Sequence, residues 1–212
     1  MSGVVLYDFW RSSASYRVRI ALNLAGITYS GVSIDLTAGE QKSGNHLARN
    51  PQGLVPVLEI DGLRLTQSLA IIDYLDQTRG LGLLPPEPAA RAHALALAQS
   101  IAVDVHPVCN LSVAQYATAL SDGADGMPGT WMRHFIRPGL LAFEALLEGF
   151  EQAPYCTGTK PGLADVCLVP QMFNARRWDV DLSDLPRSLS AEIACAEHPA
   201  FAAAHPDIHA PS

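Results

Sequence analysis

Trp10-Arg11-Ser12-Ser13-Ala14-Ser15-Tyr16-Arg17-Val18-Arg19-Ile20 follows the apolar run Val4-Val5-Leu6-Tyr7 near the N-terminus. The apolar run predicts a buried strand, and helical spacing from Val18 to Ala25, closed by Gly26, predicts the helix after it. Three serines therefore lie where a strand passes into a helix. A helix start offers unpaired N–H groups and a partial positive charge, so this turn predicts an anion site. Simple capping of the helix by Ser12, Ser13 or Ser15 is the alternative.

The next segments complete a small α/β module. Tyr29 to Leu36 predicts a second strand, parallel to the first because a helix connects them. Val55–Ile60 and Leu63–Leu65 predict a hairpin, since Asp61-Gly62 between them tolerates the positive φ angles of a tight turn. Gln67-Ser68 then opens a second helix, with polar side chains again at its start. The predicted order is βαβ followed by ββα.

A proline-rich stretch, 83–88, ends this pattern, and the rest of the chain has helical spacing with few strand signals. We expect two domains: an α/β domain over 1–82 and an all-helical domain over 88–212. The expected helices run over 91–120, 131–150, 163–178 and 189–197, with a loop at 123–129. A bend near Pro107 and a kink at Pro138 are also expected.

Charge and composition narrow the classes of partner. The 212 residues carry 14 Lys and Arg against 21 Asp and Glu, a net charge of −7. This balance argues against broad adhesion to nucleic acid or to anionic membranes. An anionic ligand must then be held by local cations, and the candidates are Arg11, Arg17, Arg19, Arg176 and Arg177.

Four cysteines, at 109, 156, 167 and 195, show neither C-x-x-C spacing nor partner histidines at metal-ligand intervals. We therefore expect no metal site and no dithiol redox motif, but reduced thiols in a cytoplasmic protein. The sequence shows no signal-peptide pattern and no apolar run of membrane-spanning length, so neither secretion nor membrane insertion is expected.

The order of elements, with the residues at their ends, resembles the zeta class of the glutathione transferase superfamily. The zeta pattern at the first turn is Ser-Ser-Cys-Ser, an aromatic residue and Arg-Val-Arg-Ile-Ala-Leu. This chain reads Ser12-Ser13-Ala14-Ser15-Tyr16-Arg17-Val18-Arg19-Ile20-Ala21-Leu22. Further agreement is found at Asn50-Pro51, Val55-Pro56, Gln67 to Ile72, Asn110 to Val113, Leu163 to Gln171 and Asn174 to Leu182.

The resemblance implies a thioredoxin-like N-terminal domain that binds glutathione and a helical domain that forms much of the substrate pocket. It implies that Ser12 donates to the glutathione thiolate with help from Ser13, and that such donors lower the pKa of the thiol. It further implies a cis bond at Val55-Pro56, with the Val55 backbone contacting glutathione, and a γ-glutamyl carboxylate held by Gln67 and Ser68. Other positions implied to contact glutathione or to border the cleft are Ala14, Ser15, Tyr16, Arg17, Gln41, His106, Asn110, Leu111 and Ser112.

The activity implied by the resemblance is a glutathione-dependent cis–trans isomerisation of maleylacetoacetate to fumarylacetoacetate, a step of tyrosine and phenylalanine catabolism. The thiolate adds to the double bond, the resulting single bond rotates, and the thiolate leaves. The substrate is a small unsaturated diketo dicarboxylate. Arg177 is the expected catalytic arginine, and Arg11 and Arg176 are further candidates for binding the substrate. The family also implies a homodimer.

Three alternatives stay open. Maleylpyruvate isomerase uses the same mechanism, although relatives that favour maleylpyruvate carry arginines just after the Asn of the 110 region, where this chain has Leu111-Ser112. General transferase or α-haloacid dehalogenase activity is a plausible side reaction. A non-catalytic glutathione-binding module is the third alternative, and the retained Ser12, Ser13, Gln67 and Ser68 argue against it.

Two departures from the family pattern matter. Ala14 stands where the zeta pattern has cysteine, so the reacting sulfur must come from glutathione and not from this position. Gly162 stands where the family has a capping Ser or Thr, so we expect the helix start after it to rely on Asp165 or on water, with a modest effect on stability.

Overall fold

A computed structural model describes residues 3–121 and 124–211. It divides into two compact units. One consists of Met1–Gly82 together with His198–Ser212, and the other of Leu83–Glu197. Each unit is described below by itself.

The first unit is built on a four-stranded mixed sheet in the order β2-β1-β3-β4. The strands are β1 (Val5–Asp8), β2 (Ser30–Ser33), β3 (Val57–Ile60) and β4 (Leu63–Thr66). β2 runs parallel to β1, and β3 runs antiparallel to both β1 and β4. Asp61 and Gly62 both have positive φ, at 53° and 77°, as the predicted two-residue turn requires. The predicted βαβ-ββα order is confirmed.

Three helices accompany this sheet: α1 (Ser13–Leu24), the short α2 (Gly44–Leu47) and α3 (Ser68–Arg79). α1 and α3 pack against each other. α1 starts five residues earlier than the apolar spacing alone predicts, because the polar residues Ser13 to Arg17 form its first turns. It ends before Gly26, whose φ of 64° takes the chain out of the helix.

The C-terminal segment, residues 198–211, packs on the sheet unit, whereas the sequence predicts it as part of an all-helical domain over 88–212. It contains α10 (Pro199–Ala202) and a 3₁₀ turn, Pro206–His209. Asn23 Nδ2 donates to the Ala200 carbonyl at 2.9 Å, and Arg19 Nε donates to the Ala204 carbonyl at 3.1 Å. Hydrogen bonds from α1 therefore hold a segment that lies far away along the chain, and sequence periodicity carries no signal for such contacts.

The second unit is helical: α4 (Pro88–Gln99), α5 (His106–Val108), α6 (Leu111–Leu120), α7 (Met127–Leu146), α8 (Leu163–Arg177) and α9 (Pro186–Glu197). The long helix expected over 91–120 is interrupted. A π-helical segment, Ser100–Val105, precedes Pro107, which lacks an N–H, and Asn110 caps a new helix.

α7 packs on the π-helical segment, and a Cβ at Gly139 would lie 2.2 Å from Val105 Cγ2, so only glycine fits there. α7 also starts at Met127, inside the expected 123–129 loop, of which Gly123 lies outside the described residues.

α8 is buried along nearly its whole length. Asp165 in its first turn is fully buried and accepts from the Gly162 N–H at 2.8 Å and from the Cys156 N–H at 2.9 Å. Burial raises the pKa of this carboxyl, against the lowering effect of those backbone donors. Asp165 therefore supports the helix start from within the first turn, at the point where Gly162 has no side chain to offer.

Within residues 3–121 and 124–211 no single helix is long and apolar enough to cross a membrane. One pair bent by 41°, Pro88–Val108 with Leu111–Leu120, meets that test of length and composition only when the two are taken together.

Candidate active site

Ser12 is the N-cap of α1. Its Oγ accepts from the Ser15 N–H at 3.2 Å and its carbonyl accepts from the Tyr16 N–H at 2.8 Å, while its own N–H donates to the Phe9 carbonyl at 2.9 Å. Capping and anion binding are compatible here. A hydroxyl that accepts from a backbone N–H still has its own hydrogen to donate. The capping bond also orients the oxygen next to the positive end of the helix.

Arg17 links this turn to the start of α3. Only 2% of the residue is exposed. Its Nε donates to the Ser13 carbonyl at 3.4 Å, and its Nη1 donates to Ser68 Oγ at 3.2 Å. The two polar helix starts that the sequence indicated separately therefore lie within the reach of one buried guanidinium, which adds a positive charge to the N-terminal ends of both helices.

Gln67, which precedes α3, has φ 66° and ψ 112°, and its side chain makes no capping hydrogen bond. Its Nε2 instead donates to Gln52 Oε1 at 2.9 Å. A positive φ in a residue with a Cβ is strained, and such strain is concentrated at ligand-binding positions. Gln67 thus occupies the N-cap position of α3 without capping the helix through its side chain. Gln52 was not among the predicted site residues, although it lies in the turn-forming sequence Asn50-Pro51-Gln52-Gly53.

The Val55-Pro56 bond is cis, as the family resemblance implied. The carbonyl of the preceding residue, Leu54, is fixed from two sides: His46 Nε2 lies 3.0 Å away and Asn50 Nδ2 donates to it at 2.8 Å. His46 and Asn50 are both buried. These two side chains, which the sequence analysis did not assign to the site, hold the backbone that leads into Val55.

Gln41 lies beside the same loop. Its Nε2 donates to the Leu36 carbonyl at 3.5 Å, while its Oε1 is buried and has no hydrogen-bond partner in the described part of the chain. A Cβ at Gly53, which has φ 63°, would approach the Gln41 carbonyl to 3.2 Å. A buried acceptor without a donor is costly. The side-chain oxygen, Gln41 Oε1, is therefore a candidate for accepting a hydrogen bond from a ligand N–H.

Arg11 lies at the entrance to α1 with its guanidinium carbon 4.9 Å from the centre of the Trp10 ring and 5.5 Å from that of Phe9. Its Nε is buried and makes no hydrogen bond within the described residues. The aromatic rings hold the arginine in place without using its donors. Arg11 can therefore still donate to a carboxylate.

In the helical unit, the Asn110 to Ser112 motif forms the start of α6. Asn110 Oδ1 accepts from the Ser112 N–H at 3.2 Å and from Ser112 Oγ at 3.4 Å. Leu111 is 37% exposed, and Ser112 is also exposed. His106 begins α5 and is half-buried. The cap uses only the side-chain oxygen of Asn110. The side-chain NH2 group takes no part in the capping interaction.

The adjacent arginines at the end of α8 differ. Arg176 forms a two-pronged ion pair with Glu192, with Nη1 on Oε1 and with Nη2 2.7 Å from Oε2. Arg177 donates to Asn174 Oδ1 at 3.4 Å and its guanidinium carbon lies 5.9 Å from the Trp178 ring centre. A bidentate carboxylate already satisfies Arg176, which makes Arg176 a poor candidate for binding an incoming carboxylate.

All four cysteines are free and buried. Burial raises the pKa of Cys109 to about 11, and the pKa values of Cys156 and Cys195 lie further above the ordinary thiol value, with the Asp165 charge adding to the effect of burial. These three side chains are therefore protonated thiols at neutral pH and unsuited to act as nucleophiles.

A family model described as the glutathione S-transferase N-terminal domain matches residues 2–77. A maleylacetoacetate isomerase from Rhizobium meliloti (strain 1021) is 54% identical over 204 residues, covering 96% of this chain and 96% of that protein. The chain belongs to the maleylacetoacetate isomerase family of zeta-class glutathione transferases. The predicted family and fold class are thus confirmed.

Solved members of this zeta-class family superpose closely on the chain. A maleylacetoacetate isomerase from Methylobacterium extorquens AM1, with malonate and glutathione bound, has a TM-score of 0.92 at 39% identity and covers 98% of this chain and 100% of that one. A holo maleylpyruvate isomerase, described as a bacterial zeta-class glutathione S-transferase, also has a TM-score of 0.92, at 38% identity, and covers 95% and 96% of the two chains. Zeta-class relatives thus include isomerases of two substrates.

Proposed function

We propose that this chain is a glutathione-dependent cis–trans isomerase that converts maleylacetoacetate to fumarylacetoacetate. The observation that carries the proposal is Arg17, buried between the Ser13 carbonyl and Ser68 Oγ, because it joins two hydroxyl-bearing helix starts into one anion-binding surface. A ligand with a thiolate at one end and a carboxylate at the other matches that surface.

Glutathione fits the residues of the sheet unit. Its γ-glutamyl carboxylate suits the start of α3 at Gln67 and Ser68, and its thiol suits the start of α1 at Ser12 and Ser13. Its peptide N–H groups require acceptors, and the unpartnered Gln41 Oε1 and the backbone at Val55 and Pro56 supply them. When bound, glutathione supplies the sulfur nucleophile that converts the double bond to a rotatable single bond and then leaves.

The chain's own groups provide what this chemistry needs. The Ser12 hydroxyl and the first N–H groups of α1, those of Ser13 and Ala14, stabilise the charged sulfur and so lower the pKa of the thiol. Arg177 binds a substrate carboxylate and stabilises the charge that develops on the substrate, and Arg11 is a further candidate for binding a carboxylate. Ser15, Tyr16 and Arg17 fix the first turn of α1, with Ser15 as the donor to Ser12 Oγ.

For the helical unit we propose that His106, Asn110, Leu111 and Ser112 border the substrate pocket, with Arg176 in a supporting role through Glu192. Residues 1–82 then form the glutathione-binding domain, completed by the C-terminal segment, and the helical domain that begins near residue 88 supplies the substrate pocket. We also propose a homodimer in the cytoplasm, in keeping with the family resemblance and with four free cysteines.

Maleylpyruvate isomerase is the second candidate, because one of the close structural relatives carries that activity. Leu111 and Ser112 favour the larger diketo acid, since neither side chain adds a positive charge next to Asn110. Displacement of halide from an α-haloacid is a side reaction expected of the same bound thiolate.

The test is retention on immobilised glutathione, followed by an ultraviolet assay of maleylacetoacetate loss with and without glutathione. We expect retention, and turnover that depends on glutathione. Binding without turnover would indicate a non-catalytic module, and turnover without glutathione would refute the mechanism. Parallel rates with maleylpyruvate decide between the two substrates, and a higher kcat/KM for maleylpyruvate would reassign the enzyme.

A further inference from the structure

Arg19 stands two residues after Arg17, and its side chain is wholly buried, with 0% exposed. Its guanidinium makes three different contacts: Nη1 with Asp8 Oδ2 at 2.5 Å, Nη2 with the Trp10 carbonyl at 2.9 Å, and Nε with the Ala204 carbonyl at 3.1 Å. One guanidinium therefore reaches a strand end, a turn and the C-terminal segment together.

These contacts enclose the turn that carries Ser12. Asp8 is the last residue of β1, Trp10 lies in the turn itself, and Arg19 lies in the second turn of α1. The Phe9 carbonyl, between the two anchored residues, receives the Ser12 N–H at 2.9 Å. A planar guanidinium with donors in fixed directions therefore sets the path of the backbone from β1 to the N-cap.

The C-terminal segment takes part in the same arrangement. The Arg19 guanidinium lies 5.5 Å from the centre of the Tyr16 ring, and the Tyr16 ring meets His205 edge-on at 6.1 Å. His209, whose Nε2 lies 3.1 Å from the Ala203 carbonyl, and Tyr29 both lie close enough to Asp8 to interact with its carboxylate charge. Residues 203–209 thus line one side of the polar cluster around Arg19 and Asp8.

We infer that Arg19 is a positioning residue that holds the Ser12 hydroxyl at the angle needed to stabilise the glutathione thiolate, with the C-terminal segment as its third anchor. The inference rests on the proposed function of Ser12. Arg19 itself touches neither substrate nor glutathione in this scheme. It acts through the Trp10 carbonyl and the Ser12 N-cap, and small displacements of such groups have large effects on rate.

The test compares Arg19→Lys with Arg79→Lys, a control in the same unit that alters the exposed ion pair to Asp61. A lysine keeps the charge but cannot make three contacts with fixed geometry. In the ligand-free protein we expect faster amide hydrogen exchange across residues 9–16 for Arg19→Lys and no change for Arg79→Lys. With glutathione bound to Arg19→Lys, we expect the pH midpoint at which the thiol becomes a thiolate to rise towards the midpoint of free glutathione.

In the same variant kcat should fall by on the order of ten- to a hundredfold, while the KM for glutathione changes little, because the start of α3 is untouched. If Arg19→Lys does not fold, Asp8→Ala replaces it in the test, because it removes one of the three contacts of Arg19. Asp8→Ala should also speed amide hydrogen exchange at residues 9–16 and raise the midpoint of thiolate formation. Asp8→Asn keeps an acceptor oxygen and should restore both.

Wild-type exchange rates at residues 9–16 in folded Arg19→Lys or Asp8→Ala would overturn the inference, as would an unchanged thiolate midpoint. The exchange experiment uses no glutathione, so it decides the role of Arg19 independently. A wild-type protein whose bound thiol is no more acidic than free glutathione would instead overturn the proposed function.

Discussion

Arg17 Nη1 lies 3.2 Å from Ser68 Oγ, and both side chains are buried. These residues are 51 positions apart and lie in different helices, yet the bond joins the first turns of α1 to the start of α3. A ligand that spans both helix starts would therefore meet a surface whose two halves are joined by this hydrogen bond.

Replacing Arg17 should separate these halves. Arg17→Lys keeps a charge but loses the fork that reaches both Ser13 and Ser68, so we expect weaker glutathione binding by about 1.5–3 kcal/mol, the range for a hydrogen bond to a charged group. Isothermal titration with glutathione measures this. Arg64→Lys, at an exposed ion pair with Glu59, is the matched control. Equal affinity of Arg17→Lys and the wild type would contradict the assignment.

Ser12→Ala removes both the proposed thiolate donor and the α1 cap. We expect retained glutathione binding, a higher pKa of the bound thiol, loss of most isomerase activity and about 1 kcal/mol lower stability. Ser43→Ala is the control, because Ser43 Oγ caps α2 by accepting from the His46 N–H at 3.3 Å. It should lose similar stability and leave the thiol pKa alone. A thiol titration that is identical in Ser12→Ala and wild type removes Ser12 from its role.

The paired arginines of α8 should separate in a kinetic experiment. Arg177→Met should raise the KM for the dicarboxylate substrate by about tenfold or more, the loss expected for one charge-assisted hydrogen bond. Arg176→Met breaks an ion pair whose arginine side chain is 49% exposed, and should cost at most about 1 kcal/mol of stability with little effect on KM. A larger rise of the substrate KM in Arg176→Met than in Arg177→Met would instead assign substrate binding to Arg176.

Acid should loosen the C-terminal segment through His209. Burial first, and the nearby Arg19 charge second, lower the pKa of this imidazole below its usual 6.5. Neutral His209 thus adds stability that is fully present above pH 6.5 and is lost as the pH falls through the lowered value in the folded state. Thermal melts between pH 7.5 and 5 should show a steeper decline in wild type than in His209→Gln. His93→Gln, at an exposed position on α4, is the control and should follow wild type. Superimposable curves for wild type and His209→Gln would refute the linkage.

Local sequence was sufficient wherever neighbouring residues decide the structure. The Asp61-Gly62 turn and the parallel β1–β2 pair both follow from short-range backbone preferences and from the handedness of a strand–helix–strand connection. The helix expected over 91–120 was wrong in one respect, because apolar spacing does not reveal that the chain widens into a π-helical turn before Pro107.

The amino-acid sequence by itself determined which groups could bind an anion: hydroxyls and arginines at two helix starts, with a net negative charge elsewhere. Only the tertiary structure decided how those groups are shared. It paired Arg17 with Ser68, tied Arg176 to Glu192, and brought Ala204 back to Arg19. The physical reason for the pairings of Arg17 and Arg19 is that a buried guanidinium needs acceptors, and chain packing brings these together from as many as 185 positions apart.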